Sequence, residues 1–226
     1  MKPPLVNHCY YHIYNRGALK QPIFFEDADN LRFIRHLYFF NDSTCTPKNG
    51  HPMSLPDMQE VDKRKPLLSI LAWCLMPNHY HLFVQQEQEN GISRFQQKLG
   101  DGYTKYINTK YKKSGHLFEG SYQIKIIDND AYFMHIARYL HLNPMELNHS
   151  GTSLNKFLEK YQWSSYKDWI GKENYPMILN MAEVEQIRTI DHVAYKQFLN
   201  AWVSKRTSDV RFQLSKTLHP LYNLDK

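Results

Sequence analysis

A pair of histidines one residue apart is the first group in this sequence that could do chemistry. His79 and His81 flank Tyr80 in a stretch rich in strand-forming residues. Side chains at positions i and i+2 of a strand point to the same face. The two imidazoles can therefore share one metal ion, for which neutral histidine is a common ligand. The chain contains 12 histidines, so an ordinary structural role for this pair alone stays open.

A tyrosine and an asparagine one helical turn apart form the second group. Tyr139 and Asn143 are four residues apart, so on a helix they lie on one face. A tyrosine hydroxyl can attack phosphorus if a base or a cation helps it lose its proton. The amide oxygen of Asn143 could then be a third metal ligand. The alternative is that Tyr139 packs in the core and Asn143 caps the helix before Pro144.

The two groups together predict more than either predicts alone. Two histidines and one asparagine would leave positions open on a divalent ion, where a phosphate oxygen can bind and be polarised. A tyrosine beside such an ion suggests phosphodiester cleavage through a phosphotyrosine intermediate. That link retains the energy of the original ester, so a later strand-joining step would need no ATP.

The hydrophobic pattern predicts the elements that must position these residues. Alternating and helical periodicities give the order β-α-β-β-α-β-α. This order is typical of the ferredoxin-like split βαβ fold, an α+β class with a central antiparallel sheet and helices on one face. The predicted strands are 8–14, 67–75, 79–85 and 122–127, and the predicted helices are 27–40, 91–111 and 128–142.

Length and composition suggest one catalytic domain with an addition. The chain has 226 residues, of which 42% are hydrophobic, enough for a well-packed core. We expect residues 1–150 to form the domain with the site, interrupted by a long proline-rich loop at 41–66. Residues 151–226 are expected to form a mostly helical extension that packs on or flanks it. Three cysteines and the lack of a visible signal or membrane segment suit a cytoplasmic protein.

Positive charge is concentrated in residues 91–126, where seven Lys or Arg residues face only Asp101 and Glu119. Tyrosines and phenylalanines are interleaved with them, a mixture that suits a phosphate backbone and unpaired bases. A solvated helix face is the alternative interpretation. The candidate nucleic-acid contacts, including two outside this segment, are Arg16, Arg94, Lys98, Lys105, Lys110, Lys112, Lys113, His116, Lys125 and Arg138.

Some of these residues have simpler interpretations. Arg16 could merely end the first strand, and Arg138 could be a surface cation beside Tyr139. His12 lies on the first predicted strand, where we expect an ordinary sheet residue rather than part of the site. By chemistry alone other tyrosines of the 91–126 segment are rival nucleophiles, although helical periodicity favours core packing for Tyr103 and Tyr106.

Four segments resemble the HUH single-tyrosine transposases, in particular the IS200-like, REP-associated tyrosine transposases. The resemblance covers roughly residues 8–150, and the motifs are specific when they occur together in this order. The segments are Tyr11–Gly17 (YHIYNRG), Leu75–Leu82 (LMPNHYHL), Ser114–Gly120 (SGHLFEG) and Tyr139–Pro144 (YLHLNP).

The resemblance implies a DNA-nicking and strand-transfer enzyme. His79 and His81 would form the HUH motif and, with Asn143, hold Mg²⁺ or Mn²⁺. Tyr139 would be the nucleophile, which attaches to the 5′ phosphate and leaves a 3′-OH. The substrate would be single-stranded DNA beside an imperfect hairpin. The protein would work in the bacterial cytoplasm, associated with the nucleoid, as a monomer or homodimer.

Three other functions stay open from the sequence. The chain could be a non-catalytic or domesticated module that binds structured single-stranded DNA, for which residues 91–126 alone would suffice. A replication-initiator nuclease would use the same chemistry on an origin-like substrate. An RNA substrate is also compatible with the charge.

Overall fold

The computed structural model describes residues 3–44, 64–129 and 131–208. The predicted loop at 41–66 lies mostly outside this part of the chain. The strands are β1 (Tyr10–Arg16), β2 (Leu68–Met76), β3 (His79–Gln86) and β4 (Gln123–Ile127). The α-helices are α1 (Asp27–Phe39), α2 (Gly91–Lys110), α3 (Ala131–Leu142), α4 (Leu154–Lys160), α5 (Tyr166–Trp169), α6 (Met181–Arg188) and α7 (His192–Ser208).

The strands form one antiparallel sheet in the order β2-β3-β1-β4. The predicted α+β class and the ferredoxin-like order of strands are therefore confirmed. Tyr14 on β1 lies opposite His81 on β3, and His12 lies opposite Lys125 on β4. This register sets which polar side chains share a face, because directly paired residues project to the same side.

Helices cover both faces of the sheet, which corrects the expectation that they lie on one face. On β3, Tyr80 contacts Phe33 of α1, whereas its neighbour His81 contacts Tyr139 of α3. Neighbouring residues of a strand point to opposite faces, so α1 lies on one side and α3 on the other. Phe83, two residues after His81, also contacts α3 through Phe133. The histidine face is thus the face that α3 covers.

On the first face, a buried carboxylate joins α1 to α2. Helix α1 begins with a capping box, in which Glu26 and Asp29 each accept a hydrogen bond from the other's backbone N–H. Asp29 is fully buried, and it also accepts hydrogen bonds from Tyr106, Lys110 and Tyr111. These bonds fix the start of α1 against the end of α2.

The region after residue 150 covers the outer edge of β2. Backbone hydrogen bonds run from Leu75 N to Trp163 O at 2.9 Å and from Ser165 N to Trp73 O at 3.0 Å. Asn180 N donates to Ile70 O at 2.9 Å. An edge strand offers unpaired backbone groups to other chains, and here these segments satisfy part of that edge. All nine residues of β2 are consequently buried.

The same region is fastened to α3 through a buried histidine. Nδ1 of His141 lies 2.7 Å from the Tyr195 hydroxyl of α7, and its Nε2 lies 2.8 Å from Oγ of Ser165. All three residues are fully buried. The apolar side chains on both sides of residue 150 belong to one core cluster. The expected division into residues 1–150 and 151–226 stays a prediction.

No helix in the described ranges is both long enough and apolar enough to cross a membrane.

Candidate active site and nucleic-acid interface

The structure brings the predicted histidines and tyrosine together on the α3 face of the sheet. The ring centroids of His79 and His81 are 5.0 Å apart, with the ring planes nearly perpendicular. The ring of Tyr139 contacts that of His81 with a centroid distance of 5.3 Å. Strand β3 supplies the two imidazoles from alternate positions, and α3 carries the phenol across them.

His12 is also part of this group, although we expected it to be an ordinary sheet residue. Its Nε2 lies 2.9 Å from Nδ1 of His81. Its ring stacks on that of His81 and meets the edge of the Tyr139 ring, with centroid distances of 5.1 Å and 5.7 Å. The sequence signal was present, since His12 belongs to the Tyr11–Gly17 segment. Only the strand register shows that it reaches the site.

Burial keeps the imidazoles of His12 and His81 neutral. It lowers the pKa of His12 to about 3, and the nearby charge of Lys125 adds to this effect. Burial also lowers the pKa of His81 well below its usual value, with further contributions from His79, His12 and Lys125. A neutral imidazole is the form that binds a metal, so the environment of these rings suits a ligand role.

Each of the two histidines uses its Nδ1 in a hydrogen bond within the protein. Nδ1 of His79 pairs with Oδ1 of Asn78 at 2.7 Å, and Nδ1 of His81 pairs with Nε2 of His12. Because Asn78 Oδ1 can only accept, His79 carries its proton on Nδ1, and its Nε2 presents a lone pair. The same tautomer of His81 results if its Nδ1 donates to His12. Metal-binding histidines are commonly oriented in this way.

Asn143 is buried one helical turn after Tyr139, but its amide already has a structural partner. Its Nδ2 donates to the backbone oxygen of Tyr139 at 2.8 Å. This bond matches the helix-capping interpretation of Asn143. The amide oxygen is the atom that could bind a metal, so capping and metal binding are compatible.

Among the described residues, no group of three or more His, Cys, Asp or Glu side chains is arranged to hold a metal ion. A metal site here therefore depends on the two histidines with an amide oxygen, water and phosphate as further ligands. An open arrangement of that kind suits a divalent ion that must also bind substrate. Mg²⁺ binds through oxygen ligands and keeps several waters, whereas imidazole suits transition metals better. The donor set thus fits Mn²⁺ more readily than Mg²⁺.

The candidate DNA contacts divide into three groups by position. Lys125 lies beside the histidines, with its Nζ 5.6 Å from the centroid of the Tyr14 ring, which itself contacts His81. Lys105 and His116 line a groove on the opposite face, close to Arg16, which forms a 2.8 Å ion pair with Glu119. The remaining predicted cations lie away from both places.

Several of these remaining cations have structural partners. Lys110 forms ion pairs with Asp29 and Glu26. Lys98 and Arg94 donate to backbone oxygens of residues 42 and 43 at 2.7 Å and 3.3 Å. The Nζ of Lys113 lies 4.1 Å from the centroid of the Phe25 ring. Lys112 follows the end of α2 with a positive φ of 52°. The structure does not bring these five residues to the site.

Arg138 is buried rather than placed on the surface. Only 6% of it is exposed, and its guanidinium carbon lies 3.8 Å and 4.3 Å from the ring centroids of Trp202 and Phe198. Its NH2 group also lies 2.6 Å from Nδ1 of His135. Arg138 therefore packs α3 against α7, although it directly precedes Tyr139.

One strand of the ferredoxin-like sheet carries the paired histidines His79 and His81, and the helix with Tyr139 packs over them. Residues 58–143 match the family model described as "Transposase IS200 like". That segment contains both histidines, Tyr139 and Asn143.

A solved structure described as a REP-associated tyrosine transposase bound to a REP hairpin has a similar fold. The TM-score is 0.53 and the sequence identity is 12%, with 78% of this chain and 88% of that chain covered. No curated protein matches the chain in sequence. The resemblance to IS200-like transposases is confirmed by these findings, and together they support a transposase-like function.

Proposed function

We propose that this protein is a metal-dependent single-stranded DNA endonuclease and strand transferase that acts beside a DNA hairpin. The observation that carries the proposal is the contact of the Tyr139 ring with His81, next to His79, on one face of the sheet. The matched family and the hairpin-bound relative support DNA as the substrate.

In this proposal Tyr139 attacks a scissile phosphate and remains linked to the 5′ side, which releases a 3′-OH. Nε2 of His79, Nε2 of His81 and the amide oxygen of Asn143 would hold the ion. When bound, the ion would supply charge that polarises the phosphate. Lys125 is paired with His12 across the sheet, and it would hold a phosphate of the bound strand there. The low exposure of Tyr139, 8%, excludes most bulk water from the nucleophile.

The proposal is tested by covalent capture of DNA. Purified protein is incubated with a labelled single-stranded hairpin DNA that has unpaired flanks, with Mn²⁺ or with EDTA. We expect a slow band on a denaturing gel that requires both Mn²⁺ and Tyr139. Tyr139→Phe removes only the hydroxyl, so it should abolish the band and keep DNA binding. A covalent band from Tyr139→Phe would contradict the assignment of the nucleophile.

A non-catalytic DNA-binding module is the second candidate. It is supported by the bond of the Asn143 amide to the Tyr139 backbone, which gives Asn143 a structural role that requires no metal. This function predicts a gel shift under native conditions without any covalent band, with the metal present and across a panel of hairpins.

A further inference from the structure

A groove on the face opposite the histidines has no role in the chemistry proposed above. It has a volume of about 940 Å³ and lies between α2 and residues 116–122. Five residues of the Ser114–Gly120 segment line one wall. That segment is one of the four that carry the family resemblance, yet it contributes nothing to the histidine–tyrosine site. Its position suggests that the groove itself serves a purpose.

The lining of the groove is polar and aromatic but nearly neutral. Phe118 and Tyr122 line it with aromatic rings, and Gln96 and Gln97 line it with amides. The carboxylate of Glu119 is neutralised by its ion pair with Arg16, and Asp101 opposes Lys105. Phosphate would require a surplus of positive charge. Amides and aromatic rings instead match the edges and faces of an unpaired base.

A buried amide group on the groove has an unused donor. Gln96 lines the groove and is 5% exposed. Its Oε1 accepts a 2.7 Å hydrogen bond from the Tyr80 hydroxyl, whereas its Nε2 has no hydrogen-bond partner. An unpaired buried donor is costly, and a ligand with an acceptor atom would satisfy it.

Two glycines of α2, Gly100 and Gly102, differ in the atoms that an added Cβ would meet. A Cβ at Gly102 would lie 2.5 Å from a ring carbon of Phe40, so packing requires glycine there. A Cβ at Gly100, which lines the groove, would meet no atom within 4 Å. Packing inside the protein therefore does not require glycine at position 100, and a side chain can be added there in open space beside the groove.

The groove also lies where a strand bound at the active site would pass. Tyr80, between the two histidines, contributes to the groove from the opposite face of β3. Asn15 and Ala18 contribute from the end of β1, where Arg16 pairs with His79. Both sites therefore lie at the same end of the sheet, so one flexible strand can round that end and contact both.

We propose that this groove binds one unstacked base of the single-stranded DNA that the protein cleaves. The inference rests on the proposed function, because the base belongs to the strand held by the histidine–tyrosine site. The rings of Phe118 and Tyr122 would stack on the base, and the amide of Gln96 would donate to its edge. The groove would thereby set which nucleotide lies at the scissile position.

The test fills the groove and removes the base, separately and together. Gly100→Phe adds a ring beside the groove from a position where a Cβ would meet no atom within 4 Å, and Gly100→Ala adds a methyl group only. Thr109→Phe adds the same ring to an exposed position of α2 outside the groove. Each variant is titrated with a hairpin DNA and with a series of the same DNA lacking one base at a time.

For the wild type we expect one position in the unpaired flank where loss of the base weakens binding about tenfold, as is typical of a stacked base. Gly100→Phe should weaken binding of the intact DNA to that level and should show no further loss with the abasic DNA. Gly100→Ala and Thr109→Phe should behave like the wild type. Normal base dependence in Gly100→Phe would overturn the inference.

Failure of the proposed function would give a different result. Without a metal-dependent covalent band from the wild type, the assignment of Tyr139 fails, and this inference fails with it. If the wild type forms the band but no abasic position matters, or if filling the groove changes nothing, only the groove inference is overturned.

Discussion

The two faces of the sheet each bury a polar cluster, and the clusters are built in opposite ways. On the α1–α2 face, the carboxylate of Asp29 accepts hydrogen bonds from the backbone of Phe25 and Glu26 and from Tyr106, Lys110 and Tyr111. Burial alone would raise the pKa of Asp29, but these bonds hold it below its usual value. The charge is kept and its bonding capacity is filled.

On the α3 face, the imidazoles of His12 and His81 are kept neutral and share a hydrogen bond. Nδ1 of His12 is buried without a hydrogen-bond partner. The comparison teaches that a saturated cluster has no capacity for a ligand and can only stabilise the fold. Neutral imidazoles whose bonding capacity is not filled retain the capacity to bind a ligand, at a cost to stability.

The largest difference between the clusters should appear in activity. His81→Ala removes one of the two paired imidazoles, so we expect the metal-dependent covalent band to disappear. His36→Ala is the matched control, because His36 is another buried imidazole with a pKa lowered to about 3 by burial, on α1. Gel quantification at several Mn²⁺ concentrations checks this. A band of normal intensity from His81→Ala would show that the histidine cluster is not the catalytic centre.

The second prediction concerns the Asp29 cluster, where a substitution should lower stability and leave activity intact. Asp29→Ala leaves Lys110 and two tyrosines without their buried partner, so the free energy of unfolding should fall by about 3–5 kcal/mol. Molecules that remain folded at low temperature should still form the covalent band. Urea unfolding measures the loss of stability. Similar stability for Asp29→Ala and the wild type would refute the structural role of this cluster.

A smaller effect on metal binding should follow from replacement of His12. His12→Phe keeps a ring in place but removes the hydrogen-bond partner of His81 Nδ1, so Mn²⁺ affinity should fall by roughly 10–100-fold. His36→Phe should leave the affinity unchanged. Mn²⁺ titration, followed by protein fluorescence or by electron paramagnetic resonance, measures the change. An unchanged affinity in His12→Phe would make His12 a packing residue only.

The smallest effect is the response of stability to acid. The folded-state pKa of Asp29 lies below its unfolded value of 3.8, so its contribution is present above that pH. It is lost as the pH falls through the folded pKa. Asp29→Asn cannot titrate, and its unfolding free energy should therefore decline less between about pH 5 and pH 2 than that of the wild type. Parallel declines in the two proteins would contradict this.

Elements with a clear period could be predicted from the sequence. Helix α1 was predicted at 27–40 and is found at Asp27–Phe39, and the hairpin turn falls between Met76 and His79 as expected. The pairing of His79 with His81 follows from strand geometry alone. Strand β1 begins at Tyr10 instead of His8, because His8 has a positive φ of 61° that interrupts the extended backbone.

Features that depend on register or on distant packing could not be predicted. Periodicity shows that His12 and Tyr14 share a face, but only pairing with β3 brings His12 to His81. The sequence favours a surface position for Arg138, but in the structure Phe198 and Trp202 of α7 pack against its guanidinium group. The edge of β2 is covered by segments that lie about 90 residues or more later in the chain. A local sequence pattern does not predict contacts between such distant segments.

The link between His141 and Tyr195 has a consequence for the order of events during synthesis. Both histidines and Tyr139 leave the ribosome well before Tyr195, and chains fold progressively from the N-terminus. Until Tyr195 emerges, α3 lacks the hydrogen bond between His141 and the Tyr195 hydroxyl. We therefore expect α3, which carries Tyr139, to reach its final packing only after the later helices have been synthesised.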